Sequence, residues 1–241
     1  MCIRDRQGTP NVKVAYAPVM SMTALLLQTK DPVLSSPKMR QALAHAIDYK
    51  QLAAAVTEGL AQPNNSIVPL VSPYHDAVQK KGWDYDPAAA QKLLKEAGYK
   101  GQELSILTTK RYPQSYNSAV IVQAMLQSVG INAQLSVVEW ATQLDRYNAG
   151  TYQMMTFPYS ARLDAALNYE MVTGDKAKQP RKVWDNPEAA KLVEAASVDT
   201  DHAKRQAAFD QLHQLFLADV PSIPLYNGLD IGAYRSSIKG Y

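Results

Sequence analysis

Apolar residues along the chain recur with two periods, and these periods predict alternating strands and helices. Short β-compatible runs predict strands at 23–29, 103–109, 131–139 and 152–157. Apolar residues at helical spacing predict helices at 37–47, 49–56, 87–97, 115–128, 140–148, 163–172, 187–197 and 202–218. No sustained period runs from 61 to 83, where we expect a loop. The alternation of strands and helices favours an α/β domain with a sheet covered by helices.

Local signals mark several element boundaries. Ser35 or Ser36 is a candidate N-cap before Pro37, and an Asp86-Pro87 pair opens a later helix that Gly98 is expected to end. Near the end of the chain, an Asn-Gly pair at 227–228 separates SIPLY from DIGAY. This pair predicts a terminal β-hairpin.

Composition and charge exclude several classes of function. The net charge of +3 comes from 25 basic and 22 acidic residues that are scattered along the chain, so a nucleic acid partner is not expected. Cys2 is the single cysteine, and the four histidines are far apart in the sequence, so we expect no metal and no cofactor. Residues 1–6 are charged and patternless, and we expect them to be an artefact joined to a chain whose true start lies further upstream.

The sequence offers more chemistry for binding than for catalysis. It lacks the nucleophile elbow, the dinucleotide-binding and phosphate-binding glycine loops and the H-E-x-x-H zinc motif. Tyrosine is frequent, with 14 residues, and there are 3 tryptophans against 3 phenylalanines, a bias toward rings that also form hydrogen bonds. After the strand at 152–157, aromatic, hydroxyl, guanidinium and carboxylate groups are crowded together in the segment PYSARLDAAL. Ligands of open α/β sheets bind at the carboxyl ends of strands, so this segment is the candidate site.

Four motifs, in order, resemble one known family. The segments are SPKMRQALAHAIDYKQLAAAV, DYDPAAAQKLLKEAGY, VIVQAMLQSVGINAQLSVVEWATQLDRYNAGTYQMM and ADVPSIPLYNG. They resemble the C-terminal half of the peptide/nickel family of solute-binding proteins, with the second segment as the most specific match. The resemblance covers nearly everything from Val12 onward.

The resemblance implies a two-lobed extracytoplasmic protein that closes on a small solute and delivers it to the permease of an ABC importer. It implies a periplasmic-binding-protein-like lobe, with most of the other lobe absent. On this basis residues 7–34 are the end of the first lobe and a crossover, 35–220 the second lobe, and 221–241 truncated return strands to the first lobe. We expect a monomer that catalyses no reaction and is located in the periplasm or at the cell surface.

One departure from the family pattern bears on the ligand. Peptide-binding relatives carry a tryptophan and then an acidic residue after the corresponding strand, and the acidic residue pairs with the free amino group of the peptide. Here Ala161 or Arg162 takes that acidic position. We hypothesise that Arg162 contacts an anionic or polar group of the ligand between Phe157 and Tyr159.

Other assignments remain open at this stage. The alternative for Arg162 is a surface ion pair with Asp164 or Glu170. Asp164 itself, Tyr226 and Asn227 are further candidate ligand contacts, with Met20 and Met22 weaker still. Two other classes also remain open: the ligand-sensing domain of a bacterial transcriptional regulator, and an enzyme with a composite site.

Overall fold

A mixed five-stranded sheet organises the chain in the computed structural model, which describes residues 8–240. Its strands are β1 (Val12–Leu27), β2 (Leu104–Thr108), β3 (Ala133–Val137), β4 (Met154–Tyr159) and β5 (Ser222–Arg235). Four of the strands were predicted near these positions, although β1 begins eleven residues earlier than expected. The proposed artefact at residues 1–6 lies outside the described residues.

Every predicted helix is present in the described part of the chain. The helices are α1 (Pro37–His45), α2 (Tyr49–Thr57), α3 (Pro87–Glu96), α4 (Pro113–Ser128), α5 (Trp140–Ala149), α6 (Ala165–Val172), α7 (Pro187–Val198) and α8 (His202–Asp219). Ser36 and Asp86 cap their helices as predicted, because each side chain accepts a hydrogen bond from a backbone N–H of the first turn. Gly98 follows the end of α3 with a φ of +71°, the left-handed conformation that glycine adopts most easily.

The strand directions bring three strand ends to one edge of the sheet. The order is β3-β2-β4-β1-β5, and β2 runs parallel to both β3 and β4. The carboxyl ends of β2, β3 and β4 therefore lie along the same edge, which we call the carboxyl edge. α4 connects β2 to β3, and α5 connects β3 to β4, which lies on the other side of β2. Since such connections are almost always right-handed, we expect α4 and α5 to lie on opposite faces of the sheet.

The two longest strands extend beyond this edge. β1 is antiparallel to β4, and Met22 pairs with Tyr159, the last residue of β4. Residues 12–18 of β1 continue past that point and pair with residues 229–235 of β5. We call this extension the outer ribbon. The inner half of β1 belongs to the main sheet, and the division of the chain into lobes at 7–34, 35–220 and 221–241 stays a prediction.

The predicted terminal hairpin is wrong, because SIPLY and DIGAY form one continuous strand, β5. The Asn227 side chain is engaged in tertiary hydrogen bonds rather than in a turn, since it donates to the Ser21 carbonyl at 3.1 Å and accepts from Asn64 at 2.9 Å. A Cβ atom added at Gly228 would lie 2.1 Å from Ser21 Oγ, so a larger residue here would require the Ser21 side chain to move. The register between β1 and β5 shifts at this place, between Pro18 and Met22.

The core surrounds the inner half of β1. Ala24, Leu25, Leu26 and Leu27 are consecutive and all fully buried. Since successive residues point to opposite faces of a strand, helices must cover the sheet on both sides. Within residues 8–240, none of the helices has the length and apolar character needed to cross a membrane.

Candidate functional site

An aromatic cleft of about 380 Å³ opens at the carboxyl edge. Its lining comprises Tyr112, Trp140, Tyr147, Phe157, Pro158, Tyr159, Ser160, Arg162, Met171 and Arg181. We refer to it as the aromatic cleft. It contains Phe157, Tyr159 and Arg162, three of the six residues that the sequence nominated.

Segments that follow three parallel strands build the walls. Tyr112 comes shortly after β2, Trp140 shortly after β3, and Phe157 and Tyr159 lie at the end of β4. The rings of Tyr112 and Trp140 meet edge to face with centroids 4.9 Å apart. The ring centroids of Trp140 and Phe157 are 5.7 Å apart. Convergence of the strand ends thus makes one continuous aromatic surface from residues far apart in the sequence.

A buried layer supports this surface from behind. Tyr147 of α5 stacks on Phe157 with centroids 4.4 Å apart, and its hydroxyl lies 3.3 Å from that of Tyr159. Burial, together with Tyr147, raises the pKa of Tyr159 far above its usual value, so its hydroxyl stays neutral. Phe157 and Tyr159 are each only 7% exposed, whereas Tyr112 is 38% exposed. The surface offered to a ligand therefore comes mainly from Tyr112 and Trp140.

The charged groups of the cleft are both guanidinium groups. Arg162 and Arg181 are partly exposed, and the lining contains no carboxylate. Arg162 donates to the carbonyl oxygen of Ala161 at 3.2 Å. The side chains proposed as its ion-pair partners are engaged elsewhere, since Asp164 binds Arg205 and Glu170 binds Lys182.

Asp164 has a role in the structure of α6. Its Oδ1 atom accepts from the Ala166 N–H at 2.8 Å, which caps the helix, and from Arg205 Nη2 at 2.6 Å. Partial burial tends to raise the pKa of Asp164, but the hydrogen bonds from Arg205 and Ala166 outweigh it and lower the pKa below its usual value. Asp164 is not part of the cleft lining.

Tyr226 and Asn227 lie inside the protein rather than in the aromatic cleft. Tyr226 is 1% exposed, and its hydroxyl lies 3.2 Å from Ser118 Oγ of α4. Asn227 is 4% exposed and also accepts from the Leu70 N–H at 3.1 Å, which joins β5 to the long loop. Of the two weaker candidates, Met22 is buried and Met20 is partly buried.

Outside the nominated segment, sequence reasoning missed five cleft residues, and a signal existed for two of them. The five are Tyr112, Trp140, Tyr147, Met171 and Arg181. Tyr112 and Trp140 follow predicted strands, so the rule that drew attention to the end of β4 applied equally to β2 and β3. Tyr147 shows only an ordinary helical spacing. Arg181 comes from the irregular segment between α6 and α7, where no periodicity points to the cleft.

A larger cleft of about 760 Å³ lies at the opposite edge of the sheet. Lys30, Arg146 and Lys176 contribute to its lining. Burial, assisted by the charge of Lys30, lowers the pKa of Lys176 to about 8, and Asp185 opposes this shift. The ammonium group of Lys176 donates to the carbonyl oxygen of Lys182 at 2.7 Å. Lys176 therefore holds together the segment between α6 and α7.

Comparison with known proteins identifies the class of this fold. Residues 3–181 match the bacterial extracellular solute-binding proteins, family 5 Middle. A probable ABC transporter periplasmic-binding protein, SapA of Escherichia coli, is 25% identical over 96% of this chain and 44% of its own length. Di/tripeptide-binding protein 2 of Pseudomonas aeruginosa is 24% identical over 96% of this chain and 45% of its own length.

A solved structure agrees with these relatives. The periplasmic binding protein DppA of Helicobacter pylori, in complex with the peptide STSA, superposes with a TM-score of 0.86 at 25% identity, over 99% of this chain and 48% of that one. The chain belongs to the bacterial extracellular solute-binding proteins, family 5. It spans a little under half the length of these curated relatives, and the family resemblance seen in the sequence is confirmed.

Proposed function

We propose that this chain forms a ligand-binding lobe of the substrate-binding component of an ABC importer. The aromatic cleft captures a small peptide-like or other polar or anionic solute, which the protein delivers to a permease in the membrane. The cleft carries this proposal, because it opens at the carboxyl edge, where the outer ribbon leaves the sheet. Relatives named as ABC transporter and peptide-binding proteins favour the importer over a regulatory sensor.

In this proposal β1 and β5 connect two lobes, with the solute held between them. The outer ribbon supplies the connection, and the cleft lies on the side of the sheet from which the ribbon extends. We place the protein outside the cytoplasm, in the periplasm or at the cell surface, and expect it to act as a monomer without nucleic acid. Binding rather than catalysis is its activity.

A thermal-shift screen tests the proposal with di- and tripeptides, amino acids, sugar acids and organic phosphates as probes. A ligand at one hundred times its dissociation constant stabilises the folded state by about 2.7 kcal/mol, or about 5 to 10 °C in Tm for a chain of this size. We expect Trp140→Ala to remove most of that shift, because this ring forms an accessible wall of the cleft.

Tyr85→Ala is the matched control. Tyr85 is an exposed aromatic residue that lines a different cleft, so its replacement should leave the ligand-induced shift unchanged. Absence of a shift with every probe, or a full shift in the Trp140 variant, contradicts the proposal.

A further inference from the structure

The aromatic cleft has an unbalanced set of charges. Its lining contains the two guanidinium groups of Arg162 and Arg181 and no carboxylate. We propose that the cleft selects organic anions, in which a carboxylate, phosphate or sulfonate binds Arg162 and Arg181 while an apolar or flat body packs on Trp140 and Tyr112. This inference rests on the proposed function and specifies its class of ligand.

Arg162 is free of the acidic partners that would neutralise it. Asp164 is held by Arg205 at 2.6 Å, and Glu170 by Lys182 at 2.8 Å. The Arg162 guanidinium donates a 3.2 Å hydrogen bond to the adjacent carbonyl of Ala161. Because a guanidinium has five N–H donors, most of its hydrogen-bonding capacity remains for a ligand.

Arg181 is placed in the cleft by a well-anchored backbone. The neighbouring Lys182 is almost completely buried, and its ammonium group binds both the carboxylate and the carbonyl oxygen of Glu170. The next N–H group, that of Val183, donates to the carbonyl oxygen of Val172 at 3.1 Å. These contacts fix the segment before α7 against the end of α6.

The charge of Arg181 acts on Tyr159, another residue of the cleft lining. Burial dominates the raised pKa of Tyr159, but Arg181 acts in the opposite direction and favours the phenolate. Within residues 8–240, Arg181 forms no salt bridge. Because Arg181 lines the cleft, its positive charge lies there without a salt-bridged carboxylate to balance it.

Two guanidinium groups beside aromatic rings favour an anionic group of a ligand over a cationic one. A guanidinium binds a carboxylate, phosphate or sulfonate through two parallel hydrogen bonds, and aromatic walls reduce competition from water. An ammonium group in the same place would face two positive charges and find no anion. The free amino terminus of a peptide is thus the wrong group for this part of the cleft.

A pair of fluorescent dyes tests the preference without knowledge of the natural ligand. 8-Anilinonaphthalene-1-sulfonate carries a sulfonate, and N-phenyl-1-naphthylamine has the same aromatic body without it. We expect the wild-type protein to bind the sulfonate dye at least about tenfold more tightly than the neutral dye. Because the double variant Arg162→Ala with Arg181→Ala loses both guanidinium groups, it should bind the sulfonate dye at least about tenfold more weakly than wild type.

Two controls locate the effect. The double variant should bind the neutral dye within twofold of wild type, since the aromatic walls are intact. Arg146→Ala removes a guanidinium from the larger cleft at the opposite edge and should leave the binding of both dyes unchanged. Circular dichroism and urea denaturation establish that each variant is folded.

The outcomes separate this inference from the proposed function. Undiminished binding of the sulfonate dye by the folded double variant overturns the anion site. If Trp140→Ala weakens the binding of both dyes in that case, the cleft still binds solutes and the proposed function stands. If Trp140→Ala weakens the binding of neither dye, the cleft is not the binding site. The proposed function then fails together with the anion site.

Displacement of the sulfonate dye then identifies the preferred anion. Benzoate, phenyl phosphate and benzenesulfonate are compared with the neutral benzyl alcohol. Stronger displacement by at least one of the anions supports the inference and shows which group the arginines prefer. Equal displacement by benzyl alcohol counts against it.

Discussion

Asp164 illustrates how a single carboxylate can resemble a ligand contact and serve the fold instead. Its folded-state pKa is lowered by the bonds from Arg205 and Ala166. The charged form is thus favoured in the native state, which adds stability at any pH above the unfolded pKa of about 3.9. That contribution is lost as the pH falls through the lowered folded pKa.

We predict that Asp164→Asn lowers the free energy of unfolding at pH 7 by about 0.5 to 1 kcal/mol, a small value because the ion pair is partly exposed to solvent. Asparagine also caps helices well, so the change removes the charge and keeps the cap. Urea denaturation at pH 7 and pH 2.5 measures the effect, which should shrink at the lower pH.

Asp48→Asn is the control for this change. Asp48 caps α2 by accepting from the Gln51 N–H at 2.9 Å, and it has no salt bridge among residues 8–240. We expect its replacement to cost less than that of Asp164 at pH 7. A cost for Asp164→Asn that does not depend on pH would disprove the assigned role of Arg205.

Asn227 connects three parts of the chain through its side chain. Replacement by alanine leaves the Leu70 N–H and the Ser21 carbonyl without this partner and removes one acceptor from Asn64. We predict a loss of about 2 to 4 kcal/mol in the free energy of unfolding, measured by urea denaturation, because each unpaired buried polar group costs about 1 to 3 kcal/mol.

Asn65→Ala offers a comparison in the same loop. Its amide donates one hydrogen bond, to the Pro224 carbonyl at 3.1 Å, and the residue is partly exposed. The expected cost is about 1 kcal/mol. Similar losses for the two asparagines would contradict the larger cost predicted for Asn227.

At the residue scale, the sequence predicted the centre of the cleft but not its extent. Phe157, Tyr159 and Arg162 were found because they follow one predicted strand. Arg181 could not be found, since the contacts that place it are tertiary. Tyr226 was proposed as a ligand contact, but its side chain is buried in the core.

At the element scale, local chemistry predicted helices better than strand pairing. Caps such as Ser36 and Asp86 act within one turn, so a short stretch of sequence specifies them. The Asn-Gly pair at 227–228 indicated a turn, but its role depends on Ser21, two hundred positions earlier in the chain. A turn signal can therefore be overruled by a partner that the local sequence does not reveal.

The two halves of β1 should differ in their dynamics. Residues 12–18 pair with β5 alone in the described part of the chain. Residues 24–26 pair with both β4 and β5, Leu27 pairs with β4, and all four are fully buried. We predict that backbone amides of the outer ribbon exchange hydrogen at least about a hundredfold faster than those of residues 24–27. Hydrogen exchange followed by mass spectrometry measures this ratio, with β2 as an internal reference, and equal protection would contradict it.

At the scale of the whole molecule, one sheet edge brings the functional groups together. Tyr112, Trp140 and Phe157 belong to three different strand ends, and their rings form one surface because β2, β3 and β4 run in the same direction. The fold class and the family were predicted because periodicity and ordered motifs extend over nearly the whole chain. The class of ligand was not, since in our proposal it depends on Arg162 and Arg181, and Arg181 is brought to the cleft by tertiary contacts.

The pairing of β1 with strands that follow much later in the chain has a consequence for biosynthesis. β1 is made before the other four strands described above, yet Val12 pairs with Arg235 at the far end of β5. At about 5 to 20 residues per second, roughly 10 to 45 s of translation separate the two strands. Until β4 and β5 have been made, the apolar segment from Ala24 to Leu27 has neither of its strand partners. We therefore expect this segment to be a site of chaperone contact or aggregation during synthesis.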